Sequence, residues 1–375
     1  MTTDPRHIRI SDYDYPLPDD RIAQDPCSPR DAAKLLVWER GTLRDLGVCD
    51  APDVVNGWGP YRLVVNEARV VPARIFMPRP SGEGHFELFY LDAEGLSVEQ
   101  AMAETSVLSA WCKVRTLRGR DLSHTLELLA ANDGSYRHTV AWMDCVAVGD
   151  RLGRGVVMLG NEATPAELPA KSAAAPHQLP RRPKLAVPFD LPECALGPLT
   201  VGAFNACYYG LAKDAEQLVD FEKFFFPLDT IRDWNRIYGR RGFAQFQAYF
   251  PDVTAEAGLR ACLDAIGRSR QASFLAVLKR SGPANDFPLS FLDLGYTLAL
   301  DLPGPAKTLA PLMAELDGIF AAYRGKVYFA KDAFVSPSLI PAMYPRLDEF
   351  RRLQRALDPS GAVRSLLSTR LKLHD

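Results

Sequence analysis

The chain has 375 residues, of which 47% are apolar and 24% charged, with a formal net charge of −2. That length accommodates two domains, the balance is globular rather than disordered, and no overall basic field draws the chain to nucleic acid or anionic lipid. The seven cysteines include no Cys-x-x-Cys pair and the six histidines no His-x-x-x-His spacing, which points to reduced, buried thiols and away from a disulfide framework or a metal centre.

In chain order, the N-terminus carries an acid and a proline and no apolar run, so no secretory signal is read there. No stretch approaches the roughly 18 apolar residues of a membrane span. The expectation is a soluble, cytoplasmic chain. Residues 1–100 hold short β-prone runs such as Leu35–Trp38 and Arg62–Val65, punctuated by Pro16, Pro18, Pro26, Pro29 and Pro72. That spacing predicts a small β-rich unit, taken here as residues 1–120. Eight prolines between Pro165 and Pro198 remove donors and fix φ, so residues 121–200 are expected to form an extended connector.

Residues 201–375 form the third expected domain and carry the clearest pattern. Gly242–Tyr249 alternates as a half-buried strand does. Leu259, Cys262, Leu263 and Ile266 follow at helical spacing, then the strand-like runs Ser273–Lys279 and Tyr296–Leu302. A second helix is marked by Leu309, Leu312, Met313, Leu316, Ile319 and Phe320, and a last strand by Gly325–Ala330. The order β-α-β-β-α-β predicts an α+β fold with a ferredoxin-like antiparallel sheet and two helices on one face.

The glycine-rich turns a nucleotide needs are poorly matched. Gly149–Gly155 and Gly239–Gly242 are crowded with arginine and read as basic surface turns. No Gly-x-Ser-x-Gly elbow is present. On the predicted strands, however, Gln245 and Gln247 share one face, Lys279 ends an apolar run and Lys331 follows the last strand. Two amides and two ammonium groups could orient a polyhydroxylated anion. On pattern alone, a solvated face with lysines guarding strand ends suits these residues better. Phe224-Phe225-Phe226 reads as core or as the wall of an apolar groove.

Residues 122–375 resemble the C-terminal part of the decaprenylphosphoryl-β-D-ribose oxidases, flavoproteins of the vanillyl-alcohol-oxidase type. The matching runs include Ala141–Asp144, Glu167–Lys171, Phe226–Asp229, Trp234–Gly239, Gly242–Gln247, Pro288–Phe291, Ala330–Asp332 and Ala342–Arg346. The resemblance implies an FAD-linked oxidoreductase acting on a sugar alcohol of the phosphoribosyl-lipid type. It implies Lys331 beside the flavin, and Gln245, Gln247, Lys279 and Tyr344 around the substrate. The family's polar and thiol groups in the third strand are Thr297 and Ala299 here. The flavin-binding module that precedes this region in the family is not recognisable in residues 1–121, so a partner chain is expected to supply it.

Residues 8–95, and in weaker form up to 120, resemble the N-terminus of the S-adenosylmethionine:tRNA ribosyltransferase-isomerases of queuosine synthesis. The runs Ile8–Asp20, Arg21–Gln24, Ser28–Asp31, Lys34–Val37, Asn66–Arg74 and Gly84–Leu88 carry the likeness. The family's threonine in the Asn66–Arg69 run is Ala68. The chain therefore reads as a fusion joined between residues 95 and 134. The leading expectation is the substrate-binding part of a sugar oxidase. The alternatives are a truncated tRNA-modifying transferase and a non-catalytic relic of rearrangement.

Overall fold

The computed structural model describes residues 15–18, 21, 27–39, 41–58, 74–78, 85–89, 109–176, 185–271, 273–361 and 363–374. The chain divides into two compact units, Met1–Ala101 and Met102–Asp375.

In the first unit, β1 (Lys34–Glu39) and β2 (Thr42–Gly47) form an antiparallel hairpin. Its turn ends on Gly41 at φ 86°, a conformation that glycine adopts without Cβ strain. Helix α1 (Ala51–Gly57) follows, and β3 (Arg74–Pro78) pairs with β4 (His85–Phe89). The tRNA-enzyme-like runs Ile8–Asp14 and Asn66–Ala73 lie outside the described residues.

The second unit is built on one antiparallel sheet of eight strands. These are β5 (Trp111–Gly119), β6 (His138–Met143), β7 (Gly155–Glu162), β9 (Ala215–Asp220), β11 (Phe243–Pro251), β12 (Ala276–Ser281), β13 (Gly295–Pro303) and β14 (Lys326–Val327). Across the sheet they lie in the order β14-β11-β13-β12-β6-β7-β5-β9. The two-residue strands β8 (Leu185–Ala186) and β10 (Ile231–Arg232) pair with each other apart from it. Five longer helices accompany the sheet among the described residues: α2 (Leu122–Asn132), α3 (Pro198–Leu211), α4 (Asp252–Ser269), α5 (Ala306–Tyr323) and α6 (Leu347–Leu357). The unit is α+β, as its periodicities indicate.

From residue 243 to 327 the elements run β11-α4-β12-β13-α5-β14. Leu259, Cys262, Leu263 and Ile266 on α4 and Leu309, Leu312, Met313, Leu316 and Phe320 on α5 are all buried. Their three- and four-residue spacing gives each helix one apolar stripe for the sheet. Phe246, Ala248 and Phe250 on β11, Leu278 on β12 and Leu298, Leu300 and Leu302 on β13 meet them in one core. Burying this stripe removes large apolar areas from water, at roughly 25 cal/mol per Å².

Three expectations need correcting. The connector begins well after residue 121, because Leu122–Glu162 forms α2, β6 and β7, with both strands inside the sheet. Among its described residues, the proline-rich stretch carries only short elements. It holds short helical turns at Pro165–Glu167, Ala170–Ala173 and Glu193–Leu196. The last strand is two residues long rather than six: the Tyr328 N–H still donates to the Gln247 carbonyl (3.0 Å), but Phe329–Lys331 winds into a 3₁₀ turn. Finally, not all thiols are buried: Cys112, Cys145 and Cys262 are, whereas Cys27, Cys49 and Cys207 are exposed.

Candidate functional site

Strand alternation determines what faces away from α4 and α5. With Phe246, Ala248 and Phe250 turned to the helices, Gln245 and Gln247 lie on the other face of β11. The register pairs Gln245 with Asp301, Gln247 with Ala299, and Val277 with Ala299, while Lys279 pairs with Thr297. These residues therefore form one patch across three adjacent strands. A hollow of about 170 Å³ opens there, lined by Gln245, Gln247, Lys279, Thr297, Asp301 and Lys331 among others.

Lys331 reaches the hollow from the 3₁₀ turn after β14. Its neighbour Asp332 holds that turn: one carboxylate oxygen accepts from the backbone of Phe334 (3.0 Å) and Val335 (2.9 Å). Arg370 pairs with the other oxygen. Tyr344 stands behind the turn rather than in the hollow. It is buried, its hydroxyl donates to the Val327 carbonyl (2.8 Å), and its ring packs on Phe329 at 4.5 Å. Four of the five residues singled out from the sequence thus line one hollow, and Tyr344 supports the turn that carries one of them.

The floor of the hollow holds a group that the sequence reading passed over. Asp301 is only 3% exposed. It accepts a hydrogen bond from the Tyr238 hydroxyl at 3.1 Å and another from Gln245 Nε2 at 3.0 Å. Burial pushes its carboxyl above the usual value, against the pull of those two donors and the Lys331 charge. Tyr238 is itself buried, stacked on Phe243 at 4.1 Å. Burial, followed by the nearby Asp301 charge, pushes its phenol upward, so it stays a donor. Gly239 secures this placement. At φ 63° it sits where a Cβ would fall 2.5 Å from the Leu191 carbonyl. The signal for Asp301 was present in the sequence as one acid in the apolar run Tyr296–Leu302.

Other polar groups around the hollow make no protein hydrogen bond among the described residues: Lys279 Nζ, Lys331 Nζ, the Gln247 amide and Gln245 Oε1. Two cations, an amide and an extra acceptor converging on one concavity is the chemistry of a site for a hydroxylated, anionic molecule.

The remaining sequence candidates have structural roles. Arg154, in the Gly149–Gly155 turn, pairs with the buried Asp144 at 2.7 Å. Phe224 and Phe225 pack edge-on against His138, and Phe226 is 49% exposed.

A sequence model described as queuosine biosynthesis protein matches residues 10–154. It runs beyond residue 120, through β5, α2 and β6. Decaprenylphosphoryl-β-D-ribose oxidase of Mycolicibacterium smegmatis is 32% identical over 243 residues, 64% of this chain and 52% of the oxidase. S-adenosylmethionine:tRNA ribosyltransferase-isomerase of Anaeromyxobacter sp. (strain Fw109-5) is 40% identical over 90 residues, 24% of this chain and 25% of that enzyme. A Streptomyces coelicolor protein described as the uncharacterized protein in the mprA 5′ region is 33% identical over 265 residues. That alignment covers 68% of this chain and 71% of the Streptomyces protein. The chain belongs to the family of that Streptomyces protein. Both resemblances seen in the sequence are thereby matched. The family member described here spans about half the length of the oxidase and a quarter of the transferase-isomerase.

Proposed function

We propose that residues 201–375, on the sheet completed by β5–β7, are the substrate-binding part of an FAD-linked sugar alcohol oxidase. The observation that carries the reading is the convergence of Gln245, Gln247, Lys279 and Lys331 on one hollow. In this reading β11-α4-β12-β13-α5-β14 is a ferredoxin-like unit whose face opposite α4 and α5 receives the substrate.

The residues fit the ring end of a flavin and a sugar better than a whole dinucleotide. Lys331 would offer its ammonium to a ring that gains negative charge on reduction, whereas about 170 Å³ is below the roughly 300–1,000 Å³ usual for larger ligands. When bound, FAD supplies the hydride acceptor. The chain's own residues do the positioning. Lys279 binds the anionic end of a phosphoribosyl-type substrate, Gln245 and Gln247 orient its hydroxyls, and Lys331 stabilises negative charge at the ring. A partner chain supplies the dinucleotide-binding half, and the assembly works in the cytoplasm.

The test is visible absorbance after incubation with FAD and desalting, followed by an oxidase assay on a phosphoribosyl lipid with a flavin-domain partner present. The expected result is little flavin retained by the chain alone and oxidation only with the partner. Oxidation by neither preparation would end the oxidase reading.

A second reading rests on the queuosine-family match over residues 10–154: a tRNA-modifying transferase whose N-terminal part is retained. S-adenosylmethionine-dependent modification of tRNA bearing the queuosine precursor would favour it over the oxidase. A non-catalytic relic would show neither activity.

A further inference from the structure

We infer that Asp301 sets the hydrogen-bond polarity of the hollow, holding Gln245 as an acceptor so that the site selects a ligand presenting a hydroxyl donor there. The inference rests on the sugar-binding reading above and deepens it.

A side-chain amide has a donor end and an acceptor end, and free rotation would let Gln245 offer either to a ligand. Asp301 removes that freedom. A carboxylate only accepts, so the Gln245 group facing it at 3.0 Å is Nε2. The carbonyl Oε1 is then directed away from Asp301, on a residue that lines the hollow. Tyr238 takes the second carboxylate oxygen at 3.1 Å, while the β11–β13 register sets Gln245 directly opposite Asp301, so the Gln245 contact does not depend on the Tyr238 hydroxyl. Asp301 is a positioning residue in this arrangement.

The consequence is an asymmetric site. Lys279 and Lys331 can only donate, which suits phosphate, ring or carbonyl oxygens. Gln245 Oε1 can only accept, which suits a hydroxyl. Gln245 is exposed in the free protein, so its acceptor is hydrated there; a bound ligand whose hydroxyl is replaced by fluorine displaces that water but cannot donate in its place, and the hydrogen bond is lost. The ligand class is accordingly a sugar phosphate with a free ring hydroxyl, not its ketone, ether or fluorinated counterpart.

The test uses the full chain and calorimetric titration with ribose 5-phosphate and its 2-fluoro and 3-fluoro analogues, for wild type, Asp301→Asn and Tyr238→Phe. The change D301N preserves shape and alters role: the new amide can donate to Gln245 Oε1 and release Nε2 toward the hollow. Wild type is expected to prefer the hydroxyl over fluorine at one ring position by about tenfold. In D301N that ratio is expected to fall to about one to two. Y238F keeps the carboxylate and the Gln245 contact, so it is expected to keep the wild-type preference, which a merely structural role for the cluster would not produce.

Equal discrimination in wild type and D301N would overturn the inference, as would equal loss in D301N and Y238F; either result leaves sugar binding standing. Absence of ribose 5-phosphate binding to wild type would remove the sugar-binding reading, and this inference with it.

Discussion

At the scale of single residues, the second unit contains carboxylates with opposite responses to pH. Glu162 accepts from His138 Nε2 at 2.7 Å, and that hydrogen bond is the chief reason its carboxyl lies below the usual value of 4.5, despite partial burial. A lowered folded pKa contributes stability that is present above the unfolded value and is lost as pH falls through the folded one. Glu162→Gln should therefore destabilise the unit by about 1 kcal/mol at neutral pH. The gap from wild type should close as the pH drops below the normal carboxylate range. Urea denaturation of both proteins at about pH 7 and about pH 3.5 checks this, and a gap independent of pH would contradict it. Asp301 has the other sign. Its folded pKa is raised from 3.8 by burial, so its contribution is present below that value and is lost as pH rises through the raised one. Ionised at its place in the hollow, it is a cost to stability, which is the pattern expected of a group kept for a task.

At the scale of elements, periodicity carried much of the fold. The alternation in β11 and the apolar stripes of α4 and α5 were legible because each is a local pattern set by backbone geometry. The pairing of β12 with β6 was not, because it joins Val277 to Trp142 across more than a hundred residues with no local signal. Proline counting misled in the opposite way. It spread a connector from residue 121, whereas α2, β6 and β7 occupy residues up to 162 without a single proline within them. For the site, Gln245, Gln247, Lys279 and Lys331 were legible as polar groups at odds with their apolar strands, and the resemblance pointed to them. Tyr344 shared the resemblance but not the location, since its phenol is held by the Val327 carbonyl. A clean division of labour across the sheet follows. Leu298, 1% exposed on the helix side of β13, should cost about 2–5 kcal/mol when changed to Ala. Gln247→Ala on the opposite face should leave stability within about 0.5 kcal/mol. Thermal unfolding of the two variants reads the difference, and comparable losses would show that the face carrying the hollow is itself part of the core.

At the scale of the whole molecule, two units carry likeness to different enzymes, and the queuosine-family match crosses the boundary between them at residues 101 and 102. Among the described residues, every strand of the eight-stranded sheet comes from the second unit. Among the described residues no helix is long and apolar enough to cross a membrane. The central claim concerns the face of that sheet opposite α4 and α5: its two lysines and two amides bind a hydroxylated anion. The most direct measurement is calorimetric titration of ribose 5-phosphate into wild type and into Lys279→Met. The account predicts saturable binding to wild type, weakened by about tenfold or more when one charge-assisted contact is removed. Binding of equal strength in both proteins, or none in wild type, would contradict it.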